Sequence, residues 1–64
     1  MKINGVEVKL DKPVTITDYL NKEGYNQDRV AVEKNKKIVP RKCFSTEQLI
    51  DDDIIEIIHL VGGG

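Results

Sequence analysis

Ile54-Ile55-Glu56-Ile57-Ile58-His59-Leu60-Val61 is the most apolar run of this 64-residue sequence. It lies between Asp51-Asp52-Asp53, an acidic turn, and Gly62-Gly63-Gly64. The run reads as a strand, and its near-continuous isoleucines suit a central position in a sheet covered by a helix. Side chains alternate across a strand. If Ile55 and Ile57 face the helix, Glu56, Ile58 and Leu60 lie on the opposite face.

A central strand needs neighbours. Two apolar stretches, Met1–Ile3 and Val6–Leu10, flank Asn4-Gly5. Asn-Gly favours a tight hairpin because both turn positions need positive φ. Val6, Val8 and Leu10 alternate with Glu7 and Lys9, which predicts a strand with one buried face. Past Pro13 the period changes. Thr15 is a good N-cap with Asp18 three residues on, and Val14 and Tyr19 occupy the staple positions. Ile16, Tyr19 and Leu20 share a helical face, and Gly24 fits the position after the C-cap, with Tyr25 folding back on Leu20. The predicted helix runs from about Ile16 to Glu23; at two turns it must be held by packing on a sheet. Val30 and Val32 suggest a third strand, Asn35-Lys36 a turn, and Ile38-Val39 a short return strand stopped by Pro40. Cys43 to Ile50 reads as a loop with a helical turn, anchored by Phe44 and Leu49.

The order is strand, strand, helix, strand, short strand, strand. It predicts an α+β fold of the β-grasp (ubiquitin-like) kind: a mixed four- to five-stranded sheet with one main helix across one face. The first and last strands would pair in parallel at its centre. The domain is expected to span 1–61 and a flexible glycine tail 62–64, since glycine brings no side chain to offset the cost of ordering its backbone.

Size and charge narrow the function. A chain this short buries about 60% of the surface its unfolded form exposes. That leaves little room for a substrate pocket with supporting groups, and favours a carrier, subunit or binding module over a self-sufficient enzyme. Ten Lys and Arg nearly cancel eleven Asp and Glu, so there is no general attraction to nucleic acid or to an anionic membrane. Cys43 is the single cysteine. With no intrachain disulfide available to so small a domain, a reducing cytoplasm is expected. No apolar run reaches membrane-spanning length, and no signal peptide is expected.

The hairpin, the helix ending at Gly24, Lys37-Ile38-Val39-Pro40-Arg41, the acidic turn before Ile54–Ile58, and Val61-Gly62-Gly63-Gly64 together resemble the sulfur carrier proteins of thiamine biosynthesis. The resemblance covers essentially the whole chain, with the Ile-Val-Pro-Arg segment and the terminal glycines its most specific parts. It implies that an E1-like adenylating enzyme activates the terminal carboxylate with ATP. The carboxylate then becomes a thiocarboxylate, fed by a sulfur donor such as a cysteine desulfurase, and gives its sulfur to thiazole synthase. Gly64 would bear the sulfur, and Gly62 and Gly63 would thread partner active sites. No catalytic residue, metal or permanently bound cofactor is implied; ATP belongs to the activating enzyme. The free protein is expected to be monomeric.

This chemistry suits a chain end. An α-carboxyl group titrates near about 3.3–3.7 and is ionised at neutral pH. Four residues from Val61 to Gly64 can span roughly 13 Å, and glycine, lacking Cβ, passes narrow channels and accepts any φ. Recognition would then fall to the folded surface, where Glu56, Ile58 and Leu60 form the candidate docking patch.

Blander readings compete elsewhere. Cys43 could link transiently to a sulfur donor, but a lone cysteine beside an aromatic reads first as a small apolar residue. His59 lacks a partner for acid–base work, and Asp51-Asp52-Asp53 lacks the alternation of a calcium loop and reads as a solvated turn. Lys34, Lys36, Lys37, Arg41 and Lys42 have no interleaved aromatics and read as solvated charges, with Arg41 a possible partner contact. Two functional alternatives stay open: the small carrier subunit of molybdopterin synthase or its tungsten-cofactor equivalent, and a ubiquitin-like interaction module without carrier chemistry.

Overall fold

The computed structural model describes residues 1–60; the glycine tail expected at 62–64, and Val61 before it, lie outside the described residues. In chain order the elements are β1 (Lys2–Ile3), β2 (Val6–Glu7), β3 (Val14–Thr15), α1 (Ile16–Lys22), β4 (Val30–Lys34), β5 (Lys37–Val39), β6 (Gln48–Leu49) and β7 (Ile54–His59). Single turns of 3₁₀ helix cover Gln27–Arg29 and Arg41–Cys43.

The main sheet has five strands in the order β2-β1-β7-β4-β5. The most apolar strand is central: β7 runs parallel to β1, with Ile3 beside Ile55, and antiparallel to β4, with Val32 beside Ile57. Its alternation decides the two faces. Ile55 and Ile57 are buried and join Ile3, Val30, Val32 and Val39 beneath Ile16, Tyr19 and Leu20 of the helix. Phe44 and Leu49, the expected loop anchors, complete this core.

The helix follows its local signals. Thr15 is the N-cap and its Oγ1 accepts the Asp18 N–H at 3.1 Å. The other early donors go to the 44–47 loop: Ile16 N–H to the Glu47 carbonyl at 3.0 Å and Thr17 N–H to the Phe44 carbonyl at 2.9 Å. Gly24 takes a φ of 81°. The Gly24 N–H donates to the Asn21 carbonyl at 3.2 Å and the Tyr25 N–H to the Leu20 carbonyl at 2.9 Å, a Schellman closure. Glu23, expected to end the helix, is its C-cap.

Three local expectations are corrected. The strand expected over Val6–Leu10 is reduced to Val6–Glu7, and Val6 is exposed; it lies on the sheet's edge strand, while Val8 and Leu10 pack partly against the core. The loop after Cys43 contains β6, which pairs with β3 as a second, two-stranded sheet. The acidic turn is only partly solvated, because Asp53 is 5% exposed and built into the fold. Its Oδ2 accepts the Ile50 N–H at 2.8 Å and its Oδ1 accepts the Asn35 amide at 3.0 Å.

Both hairpin turns are left-handed at their two central residues: Asn4 and Gly5 at φ 51° and 83°, Asn35 and Lys36 at 52° and 71°. Each asparagine then acts as an extra rung on β7. Asn4 Oδ1 accepts the Ile57 N–H at 2.8 Å while its Nδ2 donates to the Ile57 carbonyl at 3.2 Å. On the other edge, Asn35 Oδ1 accepts the Ile54 N–H at 2.9 Å, and the Asn35 N–H donates to the Ile54 carbonyl at 2.7 Å.

Candidate docking face and the delivery of the chain end

The candidate site is the face of the sheet turned away from α1. Alternation along β7 puts Ile54, Glu56 and Ile58 there, and cross-strand register adds Lys2, Ala31, Glu33 and Ile38. Ile38, Ile54, Ile58 and Leu60 are 63, 54, 42 and 49% exposed. Large apolar side chains gathered on one exposed sheet face make it the candidate interaction surface. The expected docking residues Glu56, Ile58 and Leu60 are all exposed, close together along the end of the chain that leads to the glycines.

The exit from β7 is fixed by backbone. The Leu60 N–H donates to the Arg29 carbonyl at 2.9 Å. The Gln27–Arg29 turn is itself held by Arg41, whose Nε donates to the Gln27 carbonyl at 2.9 Å and whose guanidinium also donates to the Val30 carbonyl at 3.2 Å. Arg41, considered as a partner contact, thus has a structural task that local sequence does not betray. The His59 ring lies 5.5 Å from that of Tyr25. The last described residues are therefore carried on a rigid strand, with Gly62, Gly63 and Gly64, the expected attachment and threading residues, beyond the described part.

Among the described residues no three His, Cys, Asp or Glu side chains are placed to hold a metal ion. Cys43 is half-buried against the core and lines a hollow of about 370 Å³ with Lys34, Ile38 and Glu47. Among the described residues no helix is long and apolar enough to cross a membrane.

The sequence model of the ThiS family matches residues 1–64. The chain belongs to the ThiS family. The sulfur carrier protein ThiS of Bacillus subtilis is 40% identical over 65 residues, an alignment covering 100% of this chain and 98% of that one. The crystal structure of the thiamine biosynthesis protein ThiS from Geobacter metallireducens superposes with a TM-score of 0.84 at 27% identity, covering 98% of this chain and 96% of that one. A thiazole synthase of Magnetococcus marinus is 36% identical over 62 residues, 97% of this chain but 19% of that protein. The β-grasp expectation therefore holds, and a ThiS-family chain is a small sulfur carrier, not a catalyst. Among the alternatives the family favours the thiamine carrier over the molybdopterin subunit.

Proposed function

We propose that this protein carries sulfur for assembly of the thiazole of thiamine, on the carboxyl group of Gly64. The observation that supports this best is the match to sulfur carriers along the whole chain, terminal glycines included. The carboxylate attacks the α-phosphate of ATP in the active site of an E1-like adenylating enzyme, and pyrophosphate leaves. A persulfide supplied by a donor such as a cysteine desulfurase then attacks the acyl carbon with its terminal sulfur and AMP leaves. A second thiol attacks the inner sulfur of the resulting acyl disulfide, forming a disulfide with the donor and releasing the thiocarboxylate. The thiocarboxylate yields its sulfur to thiazole synthase. A sequence like this one lies within the polypeptide of the Magnetococcus marinus thiazole synthase, which supports that partner.

The folded domain contributes recognition. Glu56, Ile58 and Leu60 dock on the adenylating enzyme while Gly62 and Gly63, without Cβ atoms, thread its channel. The α-carboxylate is ionised throughout the neutral range and needs no side chain to activate it. The reaction takes place in the cytoplasm.

Intact-mass measurement tests the proposal. Incubation with ATP, a sulfur donor and the adenylating enzyme should add the mass difference of one oxygen replaced by sulfur, and deletion of Gly64 should abolish it. An unchanged mass beside a control carrier that is converted would leave an interaction module without carrier chemistry.

A further inference from the structure

We infer that the docking face receives an arginine or lysine side chain of the adenylating enzyme between the carboxylates of Glu33 and Glu56, an inference that rests on the docking reading above. The two residues are direct cross-strand partners on β4 and β7. Partners in register hold their Cβ atoms about 4.5–5.5 Å apart, and like charges there work against the sheet. Neither carboxylate is relieved within the domain: the three ion pairs among the described residues join Met1 to Asp51, and Lys34 to Glu47 and Asp53. Lys34, although adjacent to Glu33 in sequence, reaches Glu47 Oε2 and the Gln48 carbonyl, both at 2.8 Å. Among the described residues, Lys2 is the cation that a strand pairing places on this face, and it stands in register with Glu7 and Ile54, two residues along β7 from Glu56.

The surroundings select the occupant. Ile38 stands beside Glu33 in the register, and Ile58 and Ile54 lie two residues either side of Glu56. Two carboxylates edged by apolar side chains complement a side chain with an apolar stem and a cationic head. A guanidinium fits best, because its planar fork donates to two carboxylates at once. The same charges oppose phosphate backbones and anionic lipid. A second copy docked about a two-fold axis through this row would set four carboxylates together. A protein presenting a basic residue within an apolar surface remains, and the face continues along β7 into Leu60 and the segment that must enter that protein.

Calorimetric titration into the purified adenylating enzyme at low and high salt tests this, with Glu33→Gln/Glu56→Gln and the charge-neutral Ile58→Asn compared with wild type. Wild-type affinity should fall as salt rises. The double glutamine variant should bind at least tenfold more weakly at low salt and lose most of that salt dependence, whereas Ile58→Asn should weaken binding and keep it. Thermal melting should place the double variant at or above wild type, since repulsion has been removed. A double variant with wild-type affinity and salt dependence overturns the carboxylate role, while the docking reading stands if Ile58→Asn still binds weakly. Wild-type binding by Ile58→Asn as well removes the docking reading itself. A lowered melting temperature of the double variant would show the pair to be structural and also overturn the inference.

Discussion

Lys36 sits at φ 71° in a turn of the type that prefers glycine at that position. A left-handed L-residue costs about 1–2 kcal/mol, and part of that is returned when glycine loosens the unfolded chain. Lys36→Gly should therefore stabilise the domain by about 0.5–1 kcal/mol, seen as a higher urea midpoint at unchanged slope. Asp51 makes a pH-dependent contribution. Its carboxyl is held below the usual 3.8, first by the Leu10 N–H that donates to it and then by the Met1 ammonium. A pKa depressed by folding gives stability that is full above the unfolded value and is lost as pH falls through the folded one. The stability gap between wild type and Asp51→Asn should thus be present at neutral pH and shrink as pH falls below the usual 3.8, in acid titrations followed by circular dichroism. At this scale the sequence is legible only where contacts are local. Thr15 and Gly24 reveal themselves through their neighbours, whereas Asp53, Asn4 and Arg41 bond residues distant along the chain. The acidic turn reads as solvated because nothing within a few residues of Asp53 shows that Asn35 donates to it.

At the scale of elements, α1 shows how a seven-residue helix is closed at both ends. Its first three backbone donors are taken by Thr15, Phe44 and Glu47, and its last turn by the Gly24 closure. A Cβ at Gly24 would meet nothing within 4 Å, so space does not decide the outcome there; the φ of 81° does. Gly24→Ala should cost about 1 kcal/mol in urea unfolding, with the helix retained in circular dichroism. The helix and the β4–β5 hairpin are legible because each is specified by consecutive residues. The β3–β6 pair is not, since two-residue strands have no period to detect; Val14 meets Leu49 across 35 positions only because Phe44 and Leu49 are drawn into the core. The exposure of Glu56 and Ile58 on the face away from the helix is legible for a related reason, the strict alternation of Ile54–Ile58.

At the scale of the whole molecule, the sheet separates two tasks. One face, through Ile55 and Ile57, holds the domain together, and the other, through Ile58 and its neighbours, stays exposed and is the face proposed for docking. Ile58→Glu should leave the unfolding free energy within about 0.5 kcal/mol of wild type, as exposed substitutions do, while adenylation of the chain falls to background; loss of stability would instead make Ile58 a core residue. The parallel pairing of β1 with β7 has a mechanical consequence. Tension drawn on the chain beyond Leu60 while the start of β1 is held runs along the strands, so the rungs at Lys2–Asp53 and Asn4–Ile55, with the Asn4 amide on Ile57, share the load in shear instead of opening one by one. A partner that pulled on the chain past Leu60 would meet this pairing in its stronger direction.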